Sequence, residues 1–463
     1  MFSADTYRNR REVLRDRIGN GILLFLGNIE HPINFEHNTY PFRQDSTFLY
    51  YFGINAPSLA AVIDIDEGQT IVFGDEMTMD QIVWMGQQQT LHERCLETNV
   101  TESRPYNSLF AYVQEALATN REVHYLPPYQ PSNKILLHHL LNRPLTSFHP
   151  SIIFIEAVVA QRSIKETQEV SEIEEAVRVS AEMHLLAMRL AKPGMREREI
   201  ASAIRHFAAD QGCSLAYPPI LTIHGEILHN SYQQHLLKEG DLLLNDSGAE
   251  TYRGYAGDLT RTFPVGKRFT SKQRELYDIV YYAFQSAKSR LQPGVSFKEI
   301  HLHACESLVE GLIAIGLMKG NAKEAVKQHA HTMFFQCGLG HLIGLDVHDM
   351  EDLGEQYIGY TASAPKDTRT FGLKSLRLGK ALEPGFVVTV EPGIYIIPEL
   401  IDQWRAENKL SDFINYSKLE TYRDFGGIRI EDDFLITQDS YRLLGPELIK
   451  TADEIENYRA NYV

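Results

Sequence analysis

The sequence predicts an α/β protein in two parts: a mixed α/β domain over residues 1–160, then a pseudo-two-fold α+β domain over residues 168–463. Three observations predict it. The first 155 or so residues alternate helical apolar spacing with short apolar strands. A long amphipathic helix then separates this region from the rest. Beyond it the chain repeats itself: "KPGMREREI" (192–200) and "QPGVSFKEI" (292–300) share Pro-Gly, four residues, then Glu-Ile, at an offset of 100 residues.

Each element follows from its residues. "ADTYRNRREVLRDRI" has helical apolar spacing, and "GILLFLG" reads as a strand. "LAAVIDIDEGQTIVFG" reads as a strand, a turn around Glu67–Gly68, and a second strand. "FIEAVVAQRSIKETQEVSEIEEAVRVS" leads into the long helix, with Val170, Ile173 and Val177 on one face, so the domain boundary falls near residues 155 to 168. In both copies of the repeat, Pro-Gly breaks one helix and Glu-Ile opens the next. "EGDLLLNDSG" (239–248) then pairs with "EPGFVVTVEPG" (383–393). Each has a glycine, mostly apolar residues, and a carboxylate six positions after that glycine: Asp246 and Glu391. These runs read as buried strands. A second strand follows in each half and also carries acid, Asp258 in "AGDLTRTFPV" and Glu431 in "GGIRIEDDFLIT".

Composition bounds the function class. A chain of 463 residues exceeds one compact core. Its net charge of −16 argues against nucleic acid as a partner. No apolar run is long enough to span a membrane, and the charged N-terminal stretch lacks the order of a signal peptide, so a cytoplasmic location is expected. The four cysteines are widely spaced without a CxxC pair, so neither a disulfide framework nor a structural zinc site is expected.

The four acids carry the chemistry. A carboxylate buried in an apolar strand costs several kcal/mol unless it is paired or bound to metal. Four gathered by internal symmetry repel one another, and Arg261 and Arg429 are the only basic residues close on those strands. Metal is the better neutraliser. Carboxylates with an imidazole suit manganese, and also cobalt or zinc, and four acids exceed the needs of one ion, which points to a two-metal centre. The stretch "CGLGHLIGLDVHD" (337–349) offers the imidazoles His341 and His348. Taken alone, they read as packed core histidines rather than as a ligand and a catalytic helper.

Together "NDSG…GDLTRTF", "GLGHLIGLDVHD", "TVEPGIY" and "GGIRIED" resemble the pita-bread metallopeptidases over about residues 165 to 450. The resemblance implies metal ligands at Asp246, Asp258, His341, Glu391 and Glu431. "YPFRQDSTFLYYFGI" (40–54) is similar to the N-terminal domain of the creatinase and aminopeptidase P type, whereas residues 397–432 and "SLRLGKALEPG" look like prolidase. The implied function is that of a dinuclear-metal Xaa-Pro aminopeptidase acting on proline-containing peptides through a metal-bridging hydroxide. The alternative is an Xaa-Pro dipeptidase (prolidase) restricted to dipeptides. Manganese is the expected ion and a homodimer or higher homo-oligomer the expected assembly.

The resemblance also implies a catalytic role for Glu391 as proton acceptor and places His229 and His348 beside the substrate. Arg429 reads equally as a substrate contact and as a salt-bridge partner of the acids. Arg377 reads as a clamp on a peptide's C-terminal carboxylate or as a surface arginine. His301, His303, His329 and His331 read as surface or packing residues. Cys337 stands where the family usually has histidine, which puts substrate positioning in doubt but leaves the metal site intact. Two rivals are a non-catalytic binding protein with this fold and a creatinase-like hydrolase, both of which lack the five-ligand set.

Overall fold

The computed structural model describes residues 2–463. The chain forms two compact units. The N-terminal unit runs to Arg162 and takes in Met350–Ile358; the larger unit comprises Ser163–Asp349 and Gly359–Val463.

The N-terminal unit is built on a mixed five-stranded sheet in the order Glu102–Arg104, Gln69–Phe73, Ala60–Asp64, Ile22–Leu26, Val123–Tyr125. The hairpin read around Glu67–Gly68 joins two of these strands, with Gly68 at φ 69°. "ILLF" is apolar on both faces because both faces are covered. Ile22 and Leu24 pack with the helices Ser108–Ala118 and Pro131–Leu141. On the other face Phe25 meets Phe52 and Phe154, with ring centroids 5.2 and 5.1 Å away.

The larger unit shows the repeat in its structure as well as in its sequence. Pro-Gly turns set Gly194 and Gly294 at φ 91° and 82°. Their N–H groups donate to Leu237 O (2.9 Å) and Leu382 O (2.8 Å), and those leucines donate back to Met195 O and Val295 O. The helices Glu197–Asp210 and Phe297–Ala314 start at equivalent points. Each half then contributes a three-stranded antiparallel sheet. One has the order Thr260–Pro264, Leu242–Asp246, Ile220–Thr222; the other has Val387–Val390, Asp432–Ile436, Tyr441–Leu443. The isolated bridge Thr260↔Glu431 links the two halves. This is the pseudo-two-fold architecture the repeat predicts.

The acids differ from expectation in one respect. They sit at strand ends and breaks rather than inside strands. Asp246 is the last residue of its strand, Glu391 follows Val390, Asp258 precedes Thr260 by two residues, and Glu431 lies between two strands. Where a ladder stops, side chains have room to converge on a cavity.

Arg261 also departs from its expected place. It is fully buried but turns from the acids to Asp432, 2.6 Å away, and to the carbonyls of Glu431, Leu448 and Ile449. Its strand neighbour Thr260 faces the acids instead, donating to Glu431 Oε2 at 2.6 Å. Arg261 therefore ties the two sheets together and leaves the acids without its charge. No helix among the described residues is long and apolar enough to cross a membrane.

Candidate active site

The loop 337–349 is held against the strand Val387–Val390 by backbone hydrogen bonds from Glu391 N to Leu339 O, Thr389 N to His341 O, and Ile343 N to Val387 O (2.8–3.1 Å). This pairing sets His341 beside Glu391. Gly340 makes it attainable, since a Cβ there would lie 2.1 Å from Thr389 O. The loop closes on itself through Asp349 N and Leu342 O, and a buried ion pair between Lys165 Nζ and Asp349 (2.8 Å) anchors its end. His348 is thereby held with its ring 4.4 Å from that of His341, edge to face.

The carboxylates converge around His341. Its Nε2 lies 3.5 Å from Asp258 Oδ2 and 3.7 Å from Glu391 Oε1. One donor atom each from Asp258, His341 and Glu431 lie within 4.8 Å of one another. His341 Nδ1 stands 3.0 Å from Leu342 O, which suits an Nδ1–H donor and a lone pair on Nε2. Tyr217 Oη reaches both Asp246 Oδ1 (2.6 Å) and Asp258 Oδ1 (2.5 Å), so two carboxylates share one hydroxyl proton.

Arg429 is the permanent cation seen paired with an acid of this cluster. Arg429 pairs with Asp246 and donates to Tyr395 Oη (2.8 Å) and Thr260 Oγ1 (3.2 Å). Of the two readings of Arg429, the ion pair with an acid is the one seen, and the side chain also lines the cleft. Burial first, then repulsion from Asp246, pushes Asp258 up to about 7. Burial, with Asp258 adding to it, likewise pushes Glu391 up to about 7, and Glu431 is raised well above the carboxylate range. Such a set lacks positive charge. Its oxygen-rich donors with one imidazole fit a divalent cation of hard or borderline character.

All nine sequence-derived residues line one cleft of about 380 Å³: Asp246, Asp258, His341, Glu391 and Glu431 with His229, His348, Arg377 and Arg429. His229 is at its exposed rim, and burial, then the Arg429 charge, lowers its pKa, favouring the neutral ring. Cys337 also lines the cleft. Burial and the Glu391 charge push its thiol up to about 12, so it is neutral and no nucleophile.

Sequence reasoning missed Tyr217, Tyr395 and the Lys165–Asp349 pair. Tyr217 stands ahead of two prolines in "AYPPI", where nothing signals a carboxylate contact.

Residues 171–438 match the family model of metallopeptidase family M24, and residues 7–125 match that of the aminopeptidase P N-terminal domain. The Xaa-Pro aminopeptidase of Escherichia coli K12 is 29% identical over 98% of this chain and 97% of its own length. The Xaa-Pro dipeptidase of Rattus norvegicus is 31% identical over 90% of this chain and 84% of its own length. Proline aminopeptidase P II from Yersinia pestis superposes with a TM-score of 0.81 at 28% identity, covering 99% of this chain and 100% of its own. Zinc-substituted E. coli aminopeptidase P in complex with product gives 0.81 at 28% identity, covering 100% and 99%.

Proposed function

The chain belongs to metallopeptidase family M24, in its Xaa-Pro aminopeptidase and dipeptidase branch, and from that premise we propose that it is an Xaa-Pro aminopeptidase with two divalent ions, manganese first, in its cleft. The observation that carries this reading is the convergence of five metal-binding side chains with His229, His348, Arg377 and Arg429 on one cavity. Held by Asp246, Asp258, His341, Glu391 and Glu431, the ions would supply an acidified water and a Lewis acid for the scissile carbonyl.

The protein's own groups do the rest. Glu391 accepts the proton that the attacking water gives up and returns it to the proline nitrogen as the C–N bond breaks. His348, with the neutral His229 across the cleft rim, offers N–H to the oxygen that gains charge. Arg429 holds Asp246 in place, and Tyr217 holds Asp246 together with Asp258. Replacing Tyr217 by phenylalanine is expected to weaken divalent-ion affinity by about 10–100-fold, read by titration calorimetry. An unchanged affinity would make the hydroxyl a bystander.

Near-complete mutual coverage with the E. coli aminopeptidase supports acceptance of longer peptides. A dipeptidase is the second reading, favoured by Arg377 in the cleft wall, where a guanidinium would grip a C-terminal carboxylate bidentately. Hydrolysis of Ala-Pro and Ala-Pro-Ala decides. The tripeptide is expected to be cleaved readily; cleavage of the dipeptide alone, with KM raised by Arg377→Ala, would make the protein a prolidase.

A further inference from the structure

A second group of metal-ligating side chains lies in the larger unit, outside the cleft. His301 and Cys305 are one helical turn apart on Phe297–Ala314 and share a face. His331 comes from the 3-10 turn Ala330–Met333. All three are at most 1% exposed. One donor atom from each lies within 4.8 Å of the others.

The spacing is that of a coordination sphere. His301 Nε2 and Cys305 Sγ are 3.6 Å apart. Zinc bonds of about 2.0 Å to nitrogen and about 2.3 Å to sulfur, at a tetrahedral angle, put two ligand atoms about 3.6 Å apart. A thiol–imidazole hydrogen bond would satisfy that one contact. It would leave both ring nitrogens of His331, and Nδ1 of His301, buried with no hydrogen-bond partner. Each such atom costs about 1–3 kcal/mol, so packing alone accounts poorly for the cluster. Burial also holds His301 at about 4 and His331 at about 3, so both rings are neutral and keep a lone pair at physiological pH.

We propose that His301, Cys305 and His331 form a second, structural metal site for a thiophilic divalent cation, zinc above all, separate from the carboxylate centre. Two imidazoles, a thiolate and no carboxylate select zinc over manganese, whereas the oxygen-rich donors of the cleft also suit manganese. Binding replaces the Cys305 S–H bond with a sulfur–metal bond and releases the proton to solvent. The fourth position is left to water or to His329, whose buried Nδ1 also has no hydrogen-bond partner. Bound metal would cross-link the helix Phe297–Ala314 to the segment that runs directly into Cys337 and His341. It would thereby fix the base of the loop that lines the cleft. This inference stands or falls independently of the peptidase reading.

Cobalt spectroscopy tests it without reference to activity. Metal-stripped full-length protein is loaded with Co²⁺ and scanned in the near ultraviolet. A thiolate-to-cobalt charge-transfer band is expected, bleached by added Zn²⁺; oxygen and nitrogen donors in the cleft give none. The band persists in Cys337→Ser and vanishes in Cys305→Ala. Should Cys305→Ala fail to fold, the triple variant Cys95→Ser, Cys213→Ser, Cys337→Ser decides, because Cys305 is then the sole thiol. Retention of the band there supports the site. Its absence there, its absence from the unmodified chain, or its loss with Cys337→Ser overturns the proposal.

Discussion

Glu391→Gln is expected to lower kcat on an Xaa-Pro peptide by about 10²–10⁴-fold while the chain folds as before. The amide matches the carboxylate in shape and keeps one oxygen for an ion, but it cannot accept a proton. Glu391 sits at the end of an apolar strand, where burial has already raised its proton affinity to about 7. A carboxylate beside the attacking water can take its proton and pass it to the leaving nitrogen within one turnover. The loss should appear in kcat far more than in KM, since substrate contacts by His229, His348 and Arg429 remain. Circular dichroism and metal content, measured beside the kinetics, separate lost chemistry from lost structure. A kcat within tenfold of the unmodified protein would move the proton to another group.

Much of the larger unit was legible because its repeat is written in turn chemistry. Pro-Gly at 193–194 and at 293–294 can only break a helix, and the two turns carry matching hydrogen bonds. The four acids could be paired by counting from glycines, since Gly240 and Gly385 open equivalent strands at φ 90° and 94°. Turn residues after Asp246 (Ser247-Gly248) and Glu391 (Pro392-Gly393) mark two of those strand ends, whereas nothing marks the break at Glu431 within "IRIEDDFLI".

The direction of Arg261 follows from strand alternation. In an extended segment Asp258 and Thr260 share a face, so residue 261 must point to the other. Tyr217 reaches Asp246 and Asp258 from 29 and 41 positions away, and Lys165 meets Asp349 across 184. Only folding brings such pairs together. His301 and His331 were read as surface or packing residues, and both are buried against Cys305. The signal available was His-Cys at i, i+4, which is too common on helices to stand alone.

Removing metal should make the stability of this protein depend on the cleft acids, with a direction that their environment fixes. In the folded chain Asp258 and Glu391 hold protons up to about pH 7, whereas in the unfolded chain they lose them near 3.8 and 4.5. Between those limits the folded state binds more protons, so this contribution is fully present below about pH 4 and is lost as pH rises through 7. From pH 5.5 to 7.5 the two groups together withdraw on the order of a few kcal/mol.

Buried histidines pull the other way. His184 and His301 at about 4, and His331 at about 3, favour the folded state as pH rises through the histidine range. The quantity to measure is therefore the difference between the unmodified chain and Asp258→Asn, Glu391→Gln, in which the histidine contribution cancels. In chelator, denaturant midpoints should show the unmodified chain losing a few kcal/mol relative to the variant between pH 5.5 and 7.5. Added Mn²⁺ should restore it at pH 7.5, because bound cation replaces the missing protons, and should do little for the variant. A difference independent of pH, or an equal gain from metal in both chains, would mean that these acids do not share one uncompensated charge. The cleft would then not be the metal centre that its donor set describes.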